Sequence, residues 1–133
     1  YSRQDATALG FETGSFDLVV SSECIEHTPD PRRCLEEMVR VLKPGGTVIV
    51  TTPNRLWYPV LVIAETLGVR KFGGNEFWLW PHAAKAVLER SGCREVEATG
   101  CHLFPWQVPF SQRLLPIFDK LGKRLYPLMI NFA

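Results

Sequence analysis

Apolar runs and amphipathic stretches alternate along the first half of the chain. Phe16-Asp17-Leu18-Val19-Val20 leads into Ser21-Ser22 after the turn-forming Thr13-Gly14-Ser15. Such a run predicts a strand buried on both faces, as in a parallel sheet. Pro29-Asp30-Pro31 then breaks the chain, with Asp30 placed to cap a helix and Pro31 at its first position. Leu35, Met38, Val39 and Leu42 recur at i, i+3, i+4 and i+7, the apolar stripe of an amphipathic helix. Pro44-Gly45-Gly46 stops it, and the β-branched run 47–52 predicts a second strand. Strand, helix and strand in this order make a right-handed βαβ unit.

Residues 53–80 break the pattern. They are rich in Pro, Gly and aromatics (Trp57, Tyr58, Phe72, Phe77, Trp78, Trp80), with one helix expected over 60–67. An aromatic insertion after a strand reads as a lid over a substrate pocket, and core packing explains any one of its rings as well. The stretch 81–91, with Ala83, Val87 and Leu88 on one face, predicts a second crossover helix ending at Gly92. Residues 94–99 alternate like a strand, and 114–132 read as a helix leading into a strand. The fold class is α/β, a mostly parallel sheet with flanking helices and an aromatic insertion. Ligands in such sheets bind beyond the carboxyl ends of the strands, here residues 21–27 and 51–55.

Composition narrows this only a little. A chain of 133 residues fits one domain, and one this size buries roughly two-thirds of its unfolded surface. A net charge of +1 offers no field for nucleic acid, which makes a nucleic-acid partner unexpected. Cys24, Cys34, Cys93 and Cys101 form no CxxC pair, so they read as reduced thiols of a cytoplasmic protein. No apolar run reaches the roughly 18 residues of a transmembrane segment. Tyr1-Ser2-Arg3-Gln4 has neither an initiator Met nor a signal peptide and reads as a cut end.

Two blocks carry a family resemblance. One is Asp5-Ala6 followed by Phe11-Glu12-Thr13-Gly14-Ser15 and the run from Phe16 through Ser21-Ser22-Glu23-Cys24-Ile25-Glu26-His27. The other is Glu36-Glu37-Met38-Val39-Arg40-Val41-Leu42-Lys43-Pro44-Gly45-Gly46, continuing into Thr51-Thr52-Pro53-Asn54. Together they resemble the class I S-adenosylmethionine-dependent methyltransferases, in particular the methyltransferase type 11 and ubiquinone-biosynthesis O-methyltransferase groups. The resemblance is strong over residues 5–54 and loose over 76–99. It implies a partial Rossmann-like fold, with residues 1–133 as the C-terminal two-thirds of one methyltransferase domain and 53–80 as a substrate lid. The family's glycine-rich turn and ribose-binding acid would precede Tyr1, and its last strand would begin at Asn131.

The resemblance also implies roles. Asp5 accepts a hydrogen bond from the adenine amino group of S-adenosylmethionine, and Ala6 offers a backbone donor to the ring. Ser21, Ser22 and Glu23 form the strand end that touches the methionyl part, and Ile25 packs near the adenine or the sulfonium. Glu23, Glu26 and His27 match a cluster that holds Mg²⁺ in some relatives, though a carboxylate pair of this kind is more often simply solvated. His27 is a candidate general base, weighed evenly against a His bonded to backbone. Asn54 reads as a turn residue ahead of a substrate contact. Lys120, Lys123 and Arg124 read as a solvated helix face rather than a lipid contact. The expected function is methyl transfer to a small-molecule, mainly apolar acceptor, with a homodimer left open. The alternatives are a non-catalytic remnant or interaction module with the same fold, and a metal-assisted RNA methyltransferase.

Overall fold

The structure, a computed structural model, describes residues 1–68, 76–101, 120, 122–128 and 131–132. Strands β1 (Phe16–Ser22) and β2 (Leu42–Pro53) run parallel and are joined by helix α1 (Pro31–Val41). Val19 lies opposite Val48, Val20 opposite Ile49 and Ser22 opposite Thr51, so both strands reach the same end of the sheet. The βαβ unit expected from the sequence is present.

α1 starts where the sequence places it. Asp30 Oδ1 accepts from the backbone N–H groups of Arg32 and Arg33 at 3.0 and 3.1 Å, satisfying two otherwise unpaired donors of the first turn. Its end differs from expectation. Leu42 already has extended backbone, and β2 runs straight through Pro44-Gly45-Gly46 instead of starting after it. Glycine is what makes this passage feasible. Gly45 has φ +81°, and a Cβ on Gly46 would fall 2.9 Å from the Asp17 carbonyl oxygen across the strand pair.

Helices α2 (Tyr58–Thr66) and α3 (Pro81–Arg90) follow, then β3 (Gly100–Cys101), the short α4 (Gly122–Leu125) and β4 (Asn131–Phe132). The sheet order is β1-β2-β4-β3, with β4 antiparallel to both of its neighbours. α3 caps off as expected, with Gly92 at φ +103° just beyond it. Its buried face carries Ala84 and Val87 rather than Ala83. No strand forms over 94–99, where one was expected; the strand that follows is Gly100–Cys101. Glu95 sits at φ +55°, outside the β region, and interrupts the extended run. Of the expected lid, residues 69–75 lie outside the described residues, as do 114–119 of the expected tail helix.

The core lies on one side of the sheet. Ile25, Cys34, Leu35, Met38, Leu79, Ala84 and Val87 form a buried cluster, against which Val19, Val48 and Val50 of the two strands pack. The alternate positions Leu18, Val20 and Ile49 face outward and are exposed. Among the described residues, no strand pairs along the outer edge of β1. No helix among them is long and apolar enough to cross a membrane.

Candidate functional site

β1 and β2 end side by side, and the chain turns sharply there. Glu23 takes φ +47°, an uncommon conformation for a residue with a side chain, and its N–H donates to the Thr51 carbonyl at 3.0 Å. The Ser22 and Thr51 hydroxyl oxygens lie 3.1 Å apart. The break stops β1 and leads into a single 3₁₀ turn, Ile25–His27, so residues 21–27 line the ends of the strands.

That turn divides its side chains between the core and the solvent. Ile25 is buried in the core cluster. Glu26 is only 2% exposed, which corrects the expectation of a solvated carboxylate pair. The Thr52 hydroxyl donates to Glu26 Oε2 at 3.1 Å, and the Phe77 N–H donates to the Glu26 carbonyl at 2.8 Å. His27 is half-exposed, with Nε2 at 3.8 Å from Glu26 Oε1. Among the described residues no three His, Cys, Asp or Glu side chains gather into a group able to hold a metal ion, so the Mg²⁺ reading of Glu23, Glu26 and His27 gains no geometric support. The inward turn of Glu26 onto Thr52 is the physical reason.

Burial pushes the Glu26 carboxyl above its ordinary value of 4.5, and Glu23 nearby adds to the shift. A carboxyl raised in the fold binds its proton more tightly folded than unfolded. Stability therefore falls as pH rises from about 4.5 through the raised value, then levels off. Glu26→Gln keeps an acceptor for Thr52 and carries no charge. Urea unfolding between pH 4 and 8 is expected to show the wild type losing stability relative to the variant across that window, with the difference constant above it.

Asp5 sits in a separate turn. Its Oδ1 accepts from the Thr7 N–H at 2.8 Å and the Thr7 hydroxyl at 2.7 Å, while Oδ2 accepts nothing among the described residues. These two bonds hold the carboxyl below its ordinary range and keep it ionised. Ala6, next to it, packs against the core cluster that contains Ile25.

Asn54 is fully buried and does more than make a turn. Its Oδ1 accepts from the Leu56 N–H at 3.1 Å, and Nδ2 donates to the Pro127 carbonyl at 2.9 Å. It thereby fastens the tail to the end of β2, and the Trp57 indole N–H adds a bond to the Leu128 carbonyl at 2.9 Å. A groove of about 1040 Å³ lies elsewhere, between α1, α3 and the earlier part of β2. Of the candidate residues only Lys123 lines it, and none of those read as cofactor or metal ligands does.

The sequence blocks that build this corner match known proteins. The methyltransferase-domain family matches residues 1–50. An uncharacterised methyltransferase of Mycobacterium sp. (strain JLS) is 35% identical over 109 residues, 78% of this chain and 38% of that protein. Residues 1–50 therefore carry the signature of a methyltransferase domain, and the likeness to methyltransferases extends over most of the chain. A ubiquinone biosynthesis O-methyltransferase of Coxiella burnetii (strain Dugway 5J108-111) is 27% identical over 83% of this chain and 50% of its own length. The chain thus spans at most about half of these curated relatives. Among solved structures, S-adenosylmethionine-dependent methyltransferases of Thermotoga maritima and Mesorhizobium loti both superpose with a TM-score of 0.62. Their identities are 23% and 18%, and the overlap covers 78% and 99% of this chain and 51% and 66% of theirs, which establishes the shared fold.

The Asp5 carboxylate, with Oδ2 open among the described residues, is able to accept a hydrogen bond from an amino group. Sequence reasoning missed Thr52, Glu37 and Arg40. Glu37 was visible in principle, because it falls on the same helical stripe as Cys34, Met38 and Val41 and is therefore turned inward.

Proposed function

We propose that this chain supplies part of the cofactor site and the acceptor side of a methyltransferase acting on a small, mainly apolar acceptor. The observation that carries the proposal is the Asp5 carboxylate, kept ionised by Thr7 and with Oδ2 open, in a turn anchored by Ala6 to the core. S-adenosylmethionine, when bound, supplies a sulfonium methyl group as electrophile. The chain's own task is alignment. Asp5 accepts the adenine amino group, Ala6 offers its backbone to the ring, and Ser21, Ser22 and Glu23 hold the methionyl part at the β1 end. Transfer from sulfonium to a nucleophile is an in-line displacement, so holding both reactants in place contributes more than proton transfer does.

His27 stands at the rim, half-exposed and beside the Glu26 carboxylate. For a hydroxyl acceptor it takes the proton that the oxygen loses as the new bond to carbon forms, and Glu26 steadies the resulting charge. Trp78 and Leu79, both buried, pack just behind this corner, where the Leu79 carbonyl accepts from the Arg55 N–H at 3.1 Å and the neighbouring Phe77 N–H donates to the Glu26 carbonyl. This supports an apolar rather than a highly charged acceptor.

The test is calorimetric titration of S-adenosylhomocysteine into the whole protein that carries this chain. Binding is expected, and Asp5→Ala is expected to weaken it by about tenfold, the equivalent of one charge-assisted hydrogen bond. A folded wild type that does not bind would overturn the proposal and favour a non-catalytic role for the fold.

A further inference from the structure

The segment between Asp5 and β1 has no regular structure of its own, yet its backbone is tied down with unusual density. Glu37 of α1 is buried, and its Oε2 accepts from the Leu9 N–H at 2.9 Å. Arg40, one turn further along, grips the same carboxylate through Nε and Nη2, each at 2.8 Å. The remaining donors of that guanidinium reach the segment itself. Nη2 donates to the Leu9 carbonyl at 2.8 Å, and Nη1 donates to the Phe11 carbonyl at 2.9 Å and the Thr13 hydroxyl at 3.3 Å. Both backbone groups of Leu9 are therefore held by α1. Leu9 directly follows Ala8, whose N–H closes the turn on the Asp5 carbonyl at 3.1 Å. Gln4, on the other side, accepts from the Gly10 N–H at 3.0 Å.

We infer that Glu37 and Arg40 are positioning residues for adenine recognition, acting through Leu9 to set the Asp5 carboxylate. The inference rests on the reading of Asp5 as the adenine acceptor. Asp5 is exposed, and only Thr7 holds its side chain. The direction of its open oxygen therefore depends on where the turn stands, and α1 fixes that through Leu9. A ligand that finds the turn already ordered does not have to order it, which is the advantage of a pre-organised site. Arginine suits the task because one planar fork reaches a carboxylate and two backbone carbonyls at once. A lysine ammonium keeps the charge but cannot span all three.

The experiment compares two probes in the whole protein, S-adenosylhomocysteine and its inosyl analogue, in which a ring carbonyl replaces the amino donor. The wild type is expected to prefer the adenosyl form by about tenfold, because the analogue sets an acceptor against the Asp5 carboxylate. Arg40→Lys and, independently, Glu37→Gln are expected to reduce that preference to about threefold or less, with circular dichroism unchanged. If either folded variant weakens both ligands equally and keeps the ratio, the two residues are merely structural and the inference falls. A wild type that binds the two probes equally overturns the reading of Asp5 itself, whatever the variants do.

Discussion

Leu35→Ala is expected to lower the unfolding free energy by about 3–5 kcal/mol, the upper part of the range for a buried leucine. Leu35 is wholly inaccessible and sits at the centre of the one core cluster among the described residues, with Cys34, Met38, Ala84 and Val87 around it. Two of those neighbours belong to α3, so the side chain joins both crossover helices to the sheet. Its loss removes those contacts and adds empty space beside the groove that Leu35 lines between α1, α3 and β2. Urea unfolding followed by tryptophan fluorescence reads the change. A loss below about 1 kcal/mol would mean that this core is not the one holding the fold.

Asn54→Ala is the second large effect, about 1–3 kcal/mol, and it arises from hydrogen bonding rather than packing. The side chain is fully buried, and its removal strands the Leu56 N–H and the Pro127 carbonyl without their partners. Leu56 and Pro127 are themselves exposed, so water replaces part of what they lose, and the expected cost is that of two hydrogen bonds, about 0.5–1.5 kcal/mol each. The expected signature is local as well as global. Amide exchange around β4, which pairs with the end of β2, should quicken first, because the tail is fastened there through Asn54 and Trp57. Asn54→Asp keeps the acceptor for Leu56 but has no donor for the Pro127 carbonyl, and is expected to fall between the wild type and alanine.

How much of this was legible in the sequence depends on the range of the interactions involved. Asp30 and Pro31 announced the start of α1 because a cap acts within three residues, and the bonds to Arg32 and Arg33 are there. The parallel pairing of β1 and β2 followed from two apolar runs around a helix. What escaped was decided across the fold. Glu26 lies next to the half-exposed His27, and nothing local distinguishes a solvated glutamate from one turned inward. Thr52, 26 residues away, receives it. Glu37 and Arg40 were visible as charges on a helix, but the carbonyls of Leu9 and Phe11 that Arg40 engages lie 31 and 29 residues earlier. The strand expected over 94–99 failed for a local reason instead. Glu95 adopts a left-handed backbone that the alternation of side chains cannot reveal.

The outward face of the β1–β2 pair has a consequence for handling this chain in solution. Leu18, Val20 and Ile49 form an apolar strip beside an edge whose backbone groups are unpaired among the described residues. Such an edge is a template for any extended segment that meets it, including the same edge of another copy. Loss of this chain from solution is then expected to rise more steeply than in proportion to concentration, which light scattering over a dilution series checks. A lysine at Val20 would slow that loss while leaving the melting temperature almost where it was.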